Sequence, residues 1–231
     1  MTETLLRSLP RCFIKGASAA GPVELPDEIY KKFTKVLRLK SGDSIAILPD
    51  DGTLIRCNLT GRQAIPEGVF MPQTEAKKIT IVQALPKGDK LDEIVKACTQ
   101  LGASQFVFFN ADRSVVVWDE SKFSAKLRRL EAIAAEASEV SFRTRIPTFE
   151  ILQNLAGVFE KYPNATVLSE SQSEEKTLSN QKEINEIVVG PEGGWSNREL
   201  ELIGGRGVTL GPRVLRTEYA AAAALAKILI P

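Results

Sequence analysis

Residues 186–199, EIVVGPEGGWSNRE, decide the fold of this chain, because a short apolar strand leads there into a glycine-rich turn and then into a helix. Ser196, followed three residues later by Glu199, is the capping-box pattern of a helix start. Glycines allow positive φ angles and a close approach of a ligand to the backbone. The spacing is that of neither a P-loop nor a dinucleotide fingerprint, so it predicts no phosphate cradle. A tight structural connection is the alternative, but it does not require the carboxylate of Glu192, which suits a cationic or hydrogen-bond-donating ligand.

A second stretch, residues 208–225, reads VTLGPRVLRTEYAAAAAL and predicts a strand, an arginine-bearing turn and an alanine-rich helix. Thr217 is the predicted N-cap of that helix, and Glu218 lies in its first turn, where an acidic side chain is favourable. Arg213 and Arg216 therefore precede a helix start at the carboxyl end of a strand. The alanine run predicts close helix packing, either inside the domain or across a dimer.

Strands and helices alternate in the rest of the carboxy-terminal part, which is typical of a parallel sheet with helices on both faces. Sites in such sheets lie beyond the carboxyl ends of the strands, where both turns are expected. The predicted strands are residues 79–85, 105–109, 165–169, 186–190 and 208–211, with helices over 89–101 and 121–141.

The first seventy residues predict short strands and turns instead. Residues 44–48 and 54–59 alternate in polarity around an Asp-Gly tip, which predicts a hairpin. Residues 27–39 carry apolar side chains at helical spacing. Residues 61–78 are rich in turn formers, so we place a boundary there, between a β domain of residues 1–73 and an α/β domain of residues 74–231.

Charge is distributed unevenly, although the formal net charge is only +1. Residues 1–42 contain eight cationic side chains against four anionic ones, whereas residues 170–201 contain three against eight. This asymmetry indicates that the amino-terminal part faces an anionic partner, with a merely solvated basic face as the alternative.

Histidine is absent from all 231 residues, which excludes Ser-His-Asp and Cys-His catalysis and every histidine-bearing metal site. Three widely spaced cysteines give neither a disulfide framework nor a zinc pattern. The apolar runs are too short to cross a bilayer, and the first fifteen residues lack the apolar core of a signal peptide. We therefore expect a cytoplasmic protein without a metal or a membrane partner.

The two stretches, GPEGGWSNREL and LGPRVLRTEYAAAAAL, resemble the signature segments of the 16S ribosomal RNA uracil-N3 methyltransferases of the SPOUT (α/β-knot) superfamily. The resemblance extends to ALPKGDKLDEIVKACTQLGAS, to ADRSVVV and to SEVSFRTRIP in the middle of the chain. RCFI and KVLRLKSGDSI resemble the amino-terminal PUA-like β-barrel domain of that family.

This resemblance implies a carboxy-terminal trefoil knot, a homodimer, and S-adenosylmethionine as the methyl donor for one uridine of 16S ribosomal RNA or of the small ribosomal subunit. The residues that it implies for donor binding are Leu168, Ser169, Gly190, Pro191, Glu192, Gly193, Gly194, Leu210, Gly211, Leu215, Arg216, Thr217 and Ala220. RNA contacts are expected from Arg11, Lys31, Lys32, Lys35, Arg38, Lys40 and Arg113.

For catalysis we expect Arg216 to stabilise negative charge on the uracil, with Arg143, from either subunit, as a second candidate. Glu218 would orient Arg216 or act as a base, and orientation is the preferred role. The sequence departs from the family pattern at four positions. Val140 stands where glutamine is usual, Phe142 where glycine is usual, Gln100 where glutamate is usual and Tyr219 where threonine is usual. Two other classes stay open, an RNA-binding module without catalysis and an α/β enzyme acting on a small nucleotide-like metabolite.

Overall fold

The computed structural model describes residues 3–72, 77–170, 176–180 and 183–230. The predicted boundary near residue 73 lies outside the described residues. The chain divides into two compact units, of which unit 1 comprises Met1–Ala76 with Ser138–Ile146, and unit 2 comprises Lys77–Ala137 with Pro147–Pro231.

Unit 1 is built on a five-stranded sheet of order β1-β3-β4-β5-β2, in which only the pairing of β1 with β3 is parallel. The hairpin predicted at the Asp-Gly tip is confirmed as β3 and β4. The elements of unit 1 are α1 (Glu3–Arg7), β1 (Arg11–Phe13), β2 (Val23–Glu24), α2 (Asp27–Lys31), a π-helical turn (Lys32–Val36), β3 (Ser44–Leu48), β4 (Leu54–Thr60) and β5 (Gln63–Phe70).

Strand β5 lies within residues 61–78, which we interpreted as a boundary segment rich in turn formers. Pro66 and Gly68 lie within the strand, and the pairing with β4 shifts register between Arg56 and Cys57. This bulge takes up the irregularity that proline and glycine introduce, since proline donates no ladder hydrogen bond.

Segment 138–146 packs with the amino-terminal residues. Glu139 Oε1 accepts a hydrogen bond from the backbone N–H of Phe13 at 3.1 Å, and Asp50 Oδ1 accepts one from the N–H of Ile146 at 2.7 Å. Phe142 has a φ of +62° and is 6% exposed, with the guanidinium groups of Arg7 and Arg11 over its ring. Phe142 thus stands in a left-handed conformation that favours glycine.

Unit 2 contains a six-stranded parallel sheet of order β11-β9-β10-β6-β7-β8, as the strand–helix alternation predicted. Its elements are β6 (Ile79–Ala84), α3 (Lys90–Gln100), β7 (Ala103–Phe109), α4 (Glu120–Val140), β8 (Thr148–Leu152), α5 (Leu155–Lys161), β9 (Thr166–Leu168), β10 (Glu186–Val189), α6 (Asn197–Ile203), β11 (Gly207–Val208) and α7 (Thr217–Leu229). The last three residues of α4 are assigned to unit 1.

Most residues of the inner strands of unit 2 are buried and apolar, as expected for a sheet covered on both faces. Phe106, Phe108 and Phe109 of β7 are fully buried. Strand β11 is shorter than the predicted 208–211, because Thr209 forms only an isolated bridge with Thr177. Among the described residues, no helix combines the length and the apolar character needed to cross a bilayer.

Candidate active site

Three neighbouring strands of unit 2 end at one edge of the sheet. Strands β11, β9 and β10 are adjacent and parallel, so the segments that follow them converge. They enclose a cavity of about 660 Å³. Its lining residues are Lys90, Arg113, Leu168, Ser169, Glu170, Val189, Gly190, Pro191, Glu192, Gly193, Gly194, Trp195, Leu200, Thr209, Leu210, Arg213, Val214, Leu215, Arg216, Thr217 and Ala220.

The turn at residues 190–195, here called the glycine turn, packs on its own tryptophan. A Cβ on Gly190 would lie 2.9 Å from the indole of Trp195, so this close approach requires glycine. The indole stacks on Phe109 and donates from Nε1 to the carbonyl of Leu168 at 3.3 Å. Gly194 has a φ of +67°, a conformation that L side chains rarely adopt.

The helix that follows begins as predicted. Ser196 and Glu199 form both hydrogen bonds of a capping box at the start of α6. Ser196 Oγ also donates to Asp112 at 2.6 Å, while Arg198 Nε donates to the same carboxylate at 3.2 Å. The hydrogen bond from Arg198, then that from Ser196, lowers the pKa of Asp112. The loop after β7 is thereby fixed to the start of α6, directly after the glycine turn.

The turn at residues 209–216, here called the arginine turn, is joined to the glycine turn through Thr217. The hydroxyl of Thr217 donates to the carbonyl of Gly190 at 2.9 Å and accepts from Gln83 Nε2 at 3.0 Å. The expectation that Thr217 is the N-cap is therefore wrong. Arg216 occupies that position without a side-chain cap, because the Thr217 hydroxyl bonds the neighbouring loop instead.

Lys90, which lines the cavity, pairs with two carboxylates. Lys90 Nζ lies 3.1 Å from Glu192 Oε1 and 3.3 Å from Glu218 Oε2. The first contact, a hydrogen bond with Glu192, chiefly raises the pKa of Lys90. Burial alone would raise the pKa of Glu192, but hydrogen bonds from the backbone N–H of Lys87 and from Lys90 outweigh it and lower that pKa. The carboxylate of the glycine turn is thus held ionised.

Most of the side chains expected at the donor site lie together. Of the thirteen, all except Gly211 line the cavity. Gly211 adopts a φ of +134° and donates its N–H to Thr209. The lining combines an apolar wall, which includes Trp195 and Ala220, with the carboxylate of Glu192, so it suits a ligand with a flat apolar part and a cationic part.

The expected catalytic residues are divided between the units. Arg216 is exposed and lines the cavity. Glu218 is 7% exposed, and its ion pair within the described chain is with Lys90 rather than with the expected Arg216. Arg143 belongs to unit 1, where it is 4% exposed.

The expected RNA contacts fall into three groups. Lys31, Lys35, Arg38 and Lys40 of unit 1 are exposed and have no ion-pair partner among the described residues. Arg11 and Lys32 are engaged inside unit 1, since Arg11 donates to the carbonyl of Glu139 at 3.0 Å and Lys32 pairs with the Glu139 carboxylate at 2.5 Å. Arg113 belongs to unit 2, where it donates to the carbonyl of Gly193 at 3.2 Å.

Sequence reasoning missed several side chains of this site, among them Trp195, Gln83 and Lys90. Trp195 was quoted only as part of a motif, and Gln83 was hidden in an apolar strand. Lys90 could have been found, because it follows β6 at the same edge of the sheet as the two turns.

Comparison with known proteins agrees with this geometry. The model of a family described as RNA methyltransferase domain matches residues 73–229. The ribosomal RNA small subunit methyltransferase E of Bacillus subtilis is 35% identical to this chain over 230 residues, which covers 90% of both proteins. The protein of the same name from Mycobacterium bovis is 31% identical over 211 residues, covering 84% of this chain and 80% of the relative.

A solved structure is similar over nearly the whole length. The crystal structure of a ribosomal RNA small subunit methyltransferase E from Neisseria gonorrhoeae, bound to S-adenosyl methionine, aligns with a TM-score of 0.82 and 26% identity. The alignment covers 95% of this chain and 96% of that one. With a family model over residues 73–229 and relatives above 30% identity along most of the sequence, this chain belongs to the RNA methyltransferase family.

Proposed function

We propose that this protein transfers a methyl group from S-adenosylmethionine to N3 of one uridine in 16S ribosomal RNA. One observation carries the proposal: the glycine turn and the arginine turn, separated in sequence, line one cavity and are joined by the Thr217–Gly190 hydrogen bond. Relatives named ribosomal RNA small subunit methyltransferase E support the reaction class, and the Neisseria protein bound to S-adenosyl methionine supports the donor.

The donor would occupy the cavity of unit 2. Its volume of about 660 Å³ is of the size that holds a cofactor-sized ligand. The apolar wall at Trp195, Leu168 and Ala220 would bury the adenine, and the ionised Glu192 would attract the cationic end of the donor. S-adenosylmethionine supplies an electrophilic methyl group on its sulfonium, and the protein has to align that methyl with the acceptor.

The protein's own contribution to the chemistry concerns the uracil. N3 carries a proton at neutral pH and lies on the base-pairing edge, so the target base must be unpaired or flipped out. The proton of N3 would pass to solvent water, the N3 lone pair would then attack the methyl carbon, and the sulfur–carbon bond would break to leave a neutral thioether. Arg216 would stabilise the negative charge on the uracil before attack, with Arg143 as the second candidate. Glu218, held by Lys90, would set the charge balance beside Arg216.

Unit 1 would hold the RNA, mainly through phosphate contacts of its unpaired cations, Lys31, Lys35, Arg38 and Lys40. Arg11 and Lys32 would contribute less, because their side chains are engaged within unit 1. We assign unit 1 to the PUA-like β-barrel type and unit 2 to the trefoil-knot type on the strength of the family resemblance.

A second copy of the chain would cover apolar side chains that unit 2 exposes. Val214, Tyr219 and Ile230 are 73%, 61% and 57% exposed, and exposed apolar patches mark interaction sites. We therefore propose a homodimer, with size-exclusion chromatography and light scattering as its test. Because the proposed substrate is ribosomal RNA, we also propose a cytoplasmic location.

The decisive experiment uses labelled S-adenosylmethionine and small ribosomal subunits or naked 16S RNA from cells that lack this enzyme. Mass spectrometry should locate one N3-methyluridine. Arg216→Ala should slow methylation by about 100-fold or more, the cost of losing one preorganised hydrogen-bond donor that stabilises charge. The Kd for S-adenosylmethionine should stay nearly constant, because the contacts expected between Arg216 and the methyl donor involve its backbone. Equal rates for wild type and Arg216→Ala would reject this role, and absence of methyl transfer by the wild type would reject the function.

A further inference from the structure

Two arginines besides Arg216 lie at the cavity, one associated with each turn. Arg113 follows β7 and donates from Nη1 to the carbonyl of Gly193, so it is fixed to the glycine turn. Arg213 belongs to the arginine turn itself. Both side chains line the cavity and both residues are exposed. We call this pair the rim arginines.

The rim arginines differ from several other arginines of unit 2. Arg129 pairs with Asp92, Arg198 pairs with Asp112, and Arg206 lies over the ring of Phe159 at 4.6 Å. Within the described part of the chain, by contrast, Arg213 has no hydrogen-bond or ion-pair partner, and Arg113 has only the Gly193 carbonyl. Among the described residues, no ion pair therefore offsets the positive charges of the rim arginines.

The carboxylates at the cavity do not neutralise them. Glu192 is engaged by the Lys87 N–H and by Lys90, and Lys90 also serves Glu218. Counted over the described residues, Lys90, Arg216 and the two rim arginines stand against Glu170, Glu192 and Glu218, which leaves an excess of one positive charge. A sulfonium donor is cationic and would not by itself favour such an excess of positive charge, so the excess indicates an anion that binds beside the donor.

We propose that Arg113 and Arg213 bind the backbone phosphates on the two sides of the target uridine, which makes unit 2 itself selective for a polynucleotide. Guanidinium groups match phosphate oxygens with two parallel hydrogen bonds and stay charged at every relevant pH. Because one arginine is tied to each turn, the pair brackets a nucleotide that enters the cavity between the turns. The proposal rests on the proposed function and adds a phosphate site separate from the cations of unit 1.

The test compares Arg113→Ala, Arg213→Ala and the double variant with Arg128→Ala, a matched control in α4 that is exposed but does not line the cavity. Each rim variant should raise the KM for RNA by about 10-fold and reduce the slope of log KM against log salt by about one. The Kd of S-adenosylhomocysteine and kcat should change less than about two-fold, and Arg128→Ala should match the wild type.

A chemical arm identifies the phosphate. A short RNA with uncharged methylphosphonate linkages on both sides of the mapped uridine should raise the KM of the wild type as the double variant does. The KM of the double variant should be no higher on this RNA than on unmodified RNA, because the guanidinium groups and the charged phosphates that would pair are both absent. The proposal would be overturned if the increases in KM caused by the double variant and by the methylphosphonate RNA multiply when the two are combined. It would also be overturned if the variants weaken the affinity for S-adenosylhomocysteine and leave the KM for RNA unchanged, because the arginines would then bind the carboxylate of the methyl donor. A wild type that methylates no RNA at all would instead reject the proposed function.

Discussion

Gly190→Ala tests the packing at the centre of the site. The added Cβ would lie 2.9 Å from two indole carbons of Trp195, closer than real Cβ contacts. If the indole moves, it loses its Nε1–Leu168 hydrogen bond and its stacking on Phe109, each of which is worth about 0.5–1.5 kcal/mol. If the loop moves, it strains the Thr217–Gly190 hydrogen bond.

Overpacking of this kind typically costs about 1–3 kcal/mol. We therefore expect Gly190→Ala to lower the free energy of unfolding in urea by that amount. Gly190 and Trp195 both line the cavity, so the substitution should also weaken binding of S-adenosylmethionine. The Kd, measured by isothermal titration calorimetry, should rise by about 10-fold or more, which corresponds to a loss of about 1.4 kcal/mol of binding free energy.

Two further variants locate the cause. Gly205→Ala is the matched control, because its Cβ would meet nothing within 4 Å and its φ is ordinary, so stability and donor affinity should not fall. In a Trp195→Leu background, Gly190→Ala should cost less than about 0.5 kcal/mol, since the clashing ring is absent. An equal cost of Gly190→Ala in both backgrounds would refute the reasoning.

Three other predictions concern stability, pH and thiol reactivity. Phe142 has a left-handed backbone conformation, which glycine adopts without strain. The free energy of unfolding in urea should therefore be about 1 kcal/mol higher for Phe142→Gly than for Phe142→Ala, although both variants lose the ring. The reverse order would contradict backbone strain at this position. Asp112 has a lowered pKa, so its stabilisation is present above its unfolded value near 4 and is lost as the pH falls through the folded value. The stability difference between wild type and Asp112→Asn should therefore be constant above about pH 5 and shrink as the pH falls below about 4, whereas a difference that does not shrink on acidification would rule out this linkage. Burial raises the pKa of Cys98 to about 12. Alkylation of Cys98 at pH 8, measured by peptide mass spectrometry, should therefore be at least about 1,000-fold slower than alkylation of a free cysteine. Rapid labelling without denaturant would show that the thiol is accessible.

The sheet was predictable where the apolar signal is strong. All five strands predicted for unit 2 are present, because their side chains are buried on both faces. Strand β8 was not predicted, since it is an edge strand in which only Ile151 is buried. Strand β5 was missed because Pro66 and Gly68 are turn formers in isolation, and only the pairing with β4 overrides them.

The site was predictable at the level of loops but not of side-chain partners. Capping at Ser196 follows from a local pattern, and the structure has it. The Thr217 hydroxyl instead bonds Gly190, and Glu218 pairs with Lys90. Both partners are distant in sequence, so no spacing rule reveals them. The parallel topology decides which loops meet, whereas tertiary contacts decide which side chains bond.

Hydrogen–deuterium exchange with S-adenosylhomocysteine tests most directly whether the two turns form a single donor site. The ligand should slow the exchange of amides in residues 190–194 and 210–217 together, while residues 27–40 of unit 1 remain unchanged. Protection confined to one turn, or found only outside both, would contradict a shared cavity for the donor.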